Sequence, residues 1–309
     1  MKKKLAKRRR LAQETNSTLT RFRCLPYIYV IGMYKAGSTD LFSSISKHPQ
    51  IIKALTKSSQ YPKSTINFKD YMEFLDPVAD RIRISPSSVT LDAYASLFKL
   101  RRSTPGSKPV KFESGVDVRN ISHLYLSEIQ EQNPNAYFLL ALRDPVTWIY
   151  SAYNFWLHRG TSPHNFHIRM VKGIRNLKHC VHQNDIEYCV INNHIKNVGQ
   201  VENRVFEMVY YVFVKEILKV IPKEKLIIIR AENYYKNRDV VLNNVFRKLG
   251  MEEMNKRENT NIKGIKVKNS RHYRPMLKET ELLLREFVRP YNARLANLLE
   301  NEEFKWPTN

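Results

Sequence analysis

The sequence predicts an α/β fold, a parallel sheet with helices packed on both faces. Three observations predict it. Short apolar runs alternate with segments of helical periodicity along the chain, the order that builds strand–helix–strand units. The runs Tyr27–Ile31, Ala136–Leu142 and Leu226–Arg230 are nearly continuous in apolar residues, as strands buried on both faces are. Two of these runs end in loops that carry Gly, Lys, Arg and hydroxyl side chains, and ligands of open α/β sheets sit at such carboxyl ends.

The elements follow in chain order. Residues 1–25 form a basic, polar arm expected to be flexible. Residues 26–309 are expected to form a single domain. Tyr27–Ile31 is a strand rich in β-branched and aromatic residues. A helix is expected from Ser38, with Leu41, Phe42 and Ile45 on one face and Pro49 as its stop. Residues 56–68 read as a loop, and Asp70–Leu75 as a short helix that ends before Pro77. Residues 101–109 are an exposed basic turn leading into a short strand, PVKF, at 109–112. Ile121–Gln130 is a helix, and Ala136–Leu142 a buried strand. Pro145 suits the first turn of the helix that follows. The spacing of Val198, Val201, Val205, Met208 and Val212 predicts one long helix over Lys196–Val220. Leu226–Arg230 is a third buried strand. Asp239–Leu249 is a helix closed by Gly250, and Met276–Leu299 is a helix broken near Pro290.

A hydrophobic content of 42% places the chain among folded proteins, and its 309 residues suffice for a large core. The net charge of +23 attracts polyanions, whether nucleic acid, anionic membrane or acidic polysaccharide. No apolar stretch reaches the length of a membrane span, and the basic start lacks the apolar core of a signal peptide. Cys180 and Cys189 lie close in sequence. They read as a disulfide hairpin or as two free buried thiols. No metal-ligand constellation is apparent. Two sequons, at Asn16 and Asn120, would accept glycans in a secretory lumen.

The loop GMYKAGST, Gly32 to Thr39, joins a strand to a helix N-terminus. Backbone N–H groups and the helix dipole favour an anion there, and Ser38 and Thr39 add hydroxyl donors. A Walker loop carries its lysine after the second glycine, whereas Lys35 stands two places before Gly37. The loop also differs from the G-x-G-x-x-G of dinucleotide sites. A second anion site is expected in RDPVTWIYS, where Arg143 leaves a buried strand and Ser151 follows just over two turns into the next helix. Two anion sites at neighbouring strand ends suggest a nucleotide with two phosphate groups.

At this point the chain resembles the sulfotransferase family. GMYKAGST is similar to the family's 5′-phosphosulfate loop, G-x-x-K-[ASTP]-G-[ST]-[ST]. LRDPVTWIYSAYNFW is similar to its 3′-phosphate motif, R-D-P-x-x-x-x-x-S. The likeness continues through LIIIRAENYYKN, NIKGIKVK and the final FKW, covering roughly residues 27–306. Within the family, VIGMYKAGSTDLFSSISKHPQI, the Cys180–Cys189 pair and FVRPYNARLANLLENEEFKW resemble the Golgi enzymes that sulfate N-acetylgalactosamine 4-sulfate at O6.

The resemblance implies a P-loop-like parallel sheet and 3′-phosphoadenosine 5′-phosphosulfate (PAPS) as donor, with no metal. It implies that Lys35 neutralises the leaving 5′-phosphate, which Ala36, Gly37, Ser38 and Thr39 hold. Arg143 and Ser151 would hold the 3′-phosphate, with Lys263, Gly264 and Lys266 closing over that side. It also implies a Cys180–Cys189 disulfide, a Golgi-lumenal location and a glycosaminoglycan acceptor, chondroitin or dermatan sulfate being favoured. A membrane anchor is usual in such relatives and is not visible in this chain. Nucleic acid is not expected as a partner, because no nucleic-acid motif accompanies the charge. The family's acceptor base is commonly a glutamate after the first helix, and Ser58 stands at that place here. Glu113 is the substitute candidate, and His48 a further one. The competing expectation is a noncatalytic relative that binds nucleotide and sulfated polysaccharide.

Overall fold

A computed structural model describes residues 24–54, 68–93, 121–156, 162–196, 201–255 and 273–306. Five strands form one parallel sheet: β1 (Ile28–Gly32), β2 (Ile51–Lys53), β3 (Val89–Ala93), β4 (Tyr137–Leu142) and β5 (Leu226–Arg230). Their spatial order is β2-β3-β1-β4-β5. The α/β class and parallel sheet expected from the apolar runs are therefore present. β1 is buried along its whole length, and β4 along all but its first residue, which is why both read as unbroken apolar runs.

The helices are α1 (Ser38–Ile45), α2 (Phe68–Ile84), α3 (Ile121–Gln132), α4 (Pro145–Trp156), α5 (Pro163–Val181), α6 (Ile186–Lys196), α7 (Tyr210–Leu218), α8 (Ala231–Lys236), α9 (Arg238–Lys248) and α10 (Lys278–Leu299). The chain leaves β1 in one direction along the sheet and returns from β2 in the other. Right-handed crossovers then put α1 and α2 on opposite faces. Tyr234 of α8 bonds Asp40 and Ser44 of α1 at 2.8 and 2.9 Å, so α8 shares the face of α1. On the other face α3 contacts α7, and α10 contacts α4, α5 and α7.

Three expectations need correction. α2 runs through Pro77 instead of ending before it, and α10 runs through Pro290 without a break. In α10 the residues around the proline, Phe287, Val288 and Asn292, are buried. Their packing outweighs a missing helical hydrogen bond. The expected helix over Lys196–Val220 is three pieces: the end of α6, a 3₁₀ segment Val201–Met208, and α7. Val209 breaks the run, with φ −84° and ψ 65°, outside the helical region. β2, β3, α5 and α8, and α6 apart from Lys196, were not foreseen at all. The expected strand at 109–112, the basic turn at 101–109, both sequons and nearly all of the N-terminal arm lie outside the described residues.

Cys180 and Cys189 are joined in a disulfide that ties the last turn of α5 to α6, with Cα atoms 5.8 Å apart. The free-thiol alternative is set aside. Among the described residues no helix is long and apolar enough to cross a membrane, and no group of three or more His, Cys, Asp or Glu could hold a metal ion.

Candidate functional site

β1 and β4 are hydrogen-bonded neighbours, with Gly32 opposite Leu140. The Gly32–Thr39 loop and the Arg143 turn therefore leave the sheet side by side. Two contacts lock them together. Met33 N–H donates to Ala141 O at 2.8 Å. The indole Nε1 of Trp148, fully buried in α4, donates to Tyr34 O at 2.7 Å. The rings of Tyr34 and Trp148 also meet edge to face at 5.3 Å.

Within the loop, Lys35 has φ +62° and Gly37 φ +86°. Two positive-φ residues in three positions make a tight turn that L side chains rarely support. Gly37 is the N-cap of α1. A Cβ there would also lie 2.5 Å from Tyr235 Oη. Glycine is thus required twice, for backbone conformation and for space. Ala36 and Ser38 are buried, and Thr39 is half-buried. Lys35 Nζ rests 4.5 Å from the centroid of the Phe155 ring, a cation–π contact across to the last turn of α4.

Asp40 sits in the first turn of this anion-favouring helix end, where its carboxylate would compete with a phosphate. It is buried, paired with Arg238 at 2.9 Å and bonded by Tyr234. Arg238 offsets its charge locally, so Asp40 does not cancel the positive end of the helix dipole.

At the second loop, Arg143 does not pair with Asp144. Arg285 of α10 takes the Asp144 carboxylate in a two-pronged contact, at 3.1 and 3.3 Å. Burial raises the Asp144 pKa, and the Arg285 guanidinium opposes that rise. Asp144 Oδ1 also accepts Val146 N–H at 3.1 Å. Asp144 thus caps α4 just before Pro145. Arg143 Nε donates to Thr147 Oγ1 at 3.1 Å, which fixes the guanidinium at the rim of the sheet. Ser151 is buried in α4, 6% exposed. Next to it, Tyr150 Oη donates to Arg274 O at 2.6 Å. Residues 273–276 therefore meet α4 beside Ser151.

Lys263, Gly264, Lys266, Ser58 and Glu113 lie outside the described residues. His48 is described and is fully engaged. Its Nδ1 accepts Gln50 N–H at 3.2 Å, so Nε2 carries the proton donated to Glu252 O at 3.0 Å. Its ring packs on Phe246, and it is 5% exposed. That is a structural histidine, and it is removed as a base candidate.

Four partners, Glu232, Glu207, Arg204 and Tyr235, carry no signal in the sequence spacing. Glu232 of α8 accepts Asp144 N–H at 2.8 Å and Trp306 Nε1–H at 3.1 Å. Tyr34 Oη bonds the buried Glu207 and accepts from Arg204 at 2.6 Å. Burial, followed by the Glu207 charge, pushes the Tyr34 pKa well up, so the phenol stays protonated. Tyr235 overhangs Gly37. Each arrives from an element distant in sequence and becomes a neighbour only through the strand order.

The family model for the sulfotransferase domain matches residues 25–289. The chain belongs to the sulfotransferase family. The chain is 26% identical to human carbohydrate sulfotransferase 15, over 93% of its own length and 56% of the human protein's. The rat protein of that name gives the same figures. A squid protein of that name, from Nototodarus sloanii, is 28% identical over 43% of this chain and 85% of its own. The chain thus spans 56% of the length of the mammalian relatives it matches. Among solved structures, a sulfotransferase from Alicyclobacillus acidocaldarius shares the fold, with a TM-score of 0.57 and 17% identity, covering 90% of this chain and 97% of that one.

Proposed function

We propose that this sulfotransferase moves the sulfuryl group of PAPS to a hydroxyl of a glycosaminoglycan sugar. The observation that carries the reading is the locked adjacency of the two loops at the ends of β1 and β4. A nucleotide with phosphate at both the 5′ and 3′ positions has one anion for each loop.

In this reading Ala36, Gly37, Ser38 and Thr39 hold the 5′-phosphate through first-turn N–H groups and hydroxyls. Arg143 offers the outer nitrogens of its fork to the 3′-phosphate, Nε being engaged with Thr147. Ser151 supplies a hydroxyl to the same group. Lys263, Gly264 and Lys266 close over that side. As the S–O bond to the 5′-phosphate breaks, negative charge grows on the leaving oxygen. Lys35 leaves the Phe155 ring and neutralises it. The acceptor hydroxyl attacks in line and gives up its proton to a base, for which Glu113 is the candidate. The chemistry asks mainly for positioning and charge, so no metal is required.

The human and rat relatives are carbohydrate sulfotransferases, and the charge of +23 suits an acidic polymer. Chondroitin or dermatan sulfate, at O6 of N-acetylgalactosamine 4-sulfate, is the favoured acceptor, and the Golgi lumen the corresponding place of action. The disulfide agrees with an oxidising compartment. The test is transfer of radiolabelled sulfate from PAPS to a panel of glycosaminoglycans, with calorimetric binding of adenosine 3′,5′-bisphosphate alongside. Transfer to chondroitin or dermatan sulfate is expected. Absence of bisphosphate binding would overturn the reading. Ser58 at the glutamate position favours one second reading, a noncatalytic relative. Tight bisphosphate binding without transfer to any acceptor would establish that instead.

A further inference from the structure

α5 is nineteen residues long and contains no Asp or Glu. Its inner stripe, Phe166, Met170, Gly173, Ile174 and Leu177, is buried. At 100° per residue the opposite face collects His164, Lys172, Arg175, Lys178, His179 and the C-cap residue His182, all of them exposed. This face spans ~27 Å from His164 to His182 at 1.5 Å per residue.

The face is fixed in orientation. A Cβ on Gly173 would lie 2.1 Å from Glu202 O, so the helix presses directly onto the 3₁₀ segment 201–208. Glu202 takes Arg169 at 2.9 Å and Lys172 at 3.2 Å. His167 bonds Thr280 of α10 at 2.8 Å. The helix cannot roll without breaking these contacts. Lys172 shares its charge with Glu202, and Arg175, Lys178, His179 and His182 lie further along, toward the disulfide end.

The other end of the face begins against α4, the helix that carries Ser151. Phe166 packs on Tyr150 and Tyr153 of α4 at 4.8 and 4.9 Å. Tyr153 Oη donates to Ser162 O at 3.4 Å. Phe155, on which Lys35 rests, follows Tyr153 by two residues and so faces the other side of α4. α4 therefore stands between the basic face and the proposed sulfuryl-transfer point.

We propose that the exposed face of α5 is a docking face for the acceptor polymer, a sulfated or carboxylated polysaccharide long enough to reach around α4 from the reacting sugar at Lys35. This rests on the transfer reaction proposed above. A polysaccharide is chosen over nucleic acid because the reaction proposed above ends on a sugar hydroxyl of an acidic polymer, and regularly spaced cations suffice to hold such a chain.

The test is the double variant Arg175→Glu/Lys178→Glu in the full chain, with binding to immobilised chondroitin sulfate as the readout. Both positions are exposed, so folding and bisphosphate affinity should hold. The dissociation constant for the polymer is expected to rise about tenfold at low salt. In transfer assays KM for long polymer should rise with kcat unchanged, and a short oligosaccharide acceptor should be unaffected. The control is Lys223→Glu/Lys225→Glu, at the start of β5 and so at the opposite end of the strands, with the same change in net charge. Equal polymer affinity in wild type and the α5 variant would overturn the docking face. So would an equal loss in the control, which would assign the effect to overall charge. Single-stranded DNA displacing chondroitin sulfate at equal charge concentration would overturn the choice of polymer. A wild type that binds polymer and bisphosphate but transfers nothing would sink the reaction, and the binding comparison would still decide the docking face.

Discussion

Glu232 accepts the backbone N–H of Asp144 at 2.8 Å. The contact joins the helix after β5 to the turn after β4, and so fixes the residue adjoining Arg143 without touching Arg143 itself. The other carboxylate oxygen takes Trp306 Nε1–H at 3.1 Å, and Arg230 Nε lies 3.4 Å away. Glu232 is a positioning residue. A charge-assisted hydrogen bond of this kind contributes ~1.5–3 kcal/mol. Glu232→Ala should weaken adenosine 3′,5′-bisphosphate about tenfold, corresponding to ~1.4 kcal/mol. It should leave adenosine 5′-phosphate, which lacks the second anion, nearly unchanged. Calorimetry with the two nucleotides separates this from general loosening, which would weaken both. Trp306→Phe, which removes only the second bond, should leave bisphosphate affinity close to wild type.

Lys35 makes a different prediction, because it acts on charge that appears only as the donor bond breaks. Lys35→Ala should lower kcat by about 10²–10³, with a much smaller effect on bisphosphate affinity. Lys35→Arg should recover part of the rate, since the charge is kept and its position is not. Phe155→Leu removes the ring under Nζ and keeps the bulk. If the ring is only a resting place, kcat should stay within a factor of a few.

The sequence made β1 and β4 legible because they are buried on both sides, and β5 because its run Leu226–Ile229 is wholly apolar although it lies at the sheet edge. β3 hid because it carries Thr90 and Asp92 inside the sheet. Asp92 is tolerable there only because Tyr71 Oη and Ala93 N–H bond its carboxylate, at 2.8 and 2.7 Å. β2 is three residues long, too short for any period to show. The valine spacing through residues 198–212 records one buried side and is blind to the break at Val209. The two loops at the ends of β1 and β4 were legible because each is contiguous. Glu232, Tyr235 and Arg285 were not, since strand order brings them to the loops and no local pattern encodes it.

The disulfide closes a loop with a sequence separation of 9 between α5 and α6. A chain-entropy estimate for a loop of this size is ~2–3 kcal/mol. Cys180→Ser/Cys189→Ser should therefore lower Tm by roughly 5 °C for a chain of this length, and a thermal melt would show it. The pair sits at the far end of α5 from Lys35, so kcat on a short acceptor should be unchanged. A large loss of kcat would mean that α5 communicates with the site, a coupling its packing does not predict.

Gly37 carries two constraints that one experiment can separate. Gly37→Ala must adopt φ near +86°, which costs an L-residue ~1–2 kcal/mol. It must also place a methyl 2.5 Å from Tyr235 Oη. Tyr235 is 40% exposed, so its ring can swing toward solvent. Gly37→Ala alone should weaken bisphosphate binding at least about tenfold, from backbone strain and a displaced Tyr235 together. Adding Tyr235→Ala relieves the collision and leaves the strain, so affinity should recover only in part. Full recovery would show that the turn tolerates alanine, and that glycine is required only for room beneath the tyrosine. No recovery would place the whole cost in the backbone, and Tyr235→Ala alone should then bind the nucleotide as wild type does.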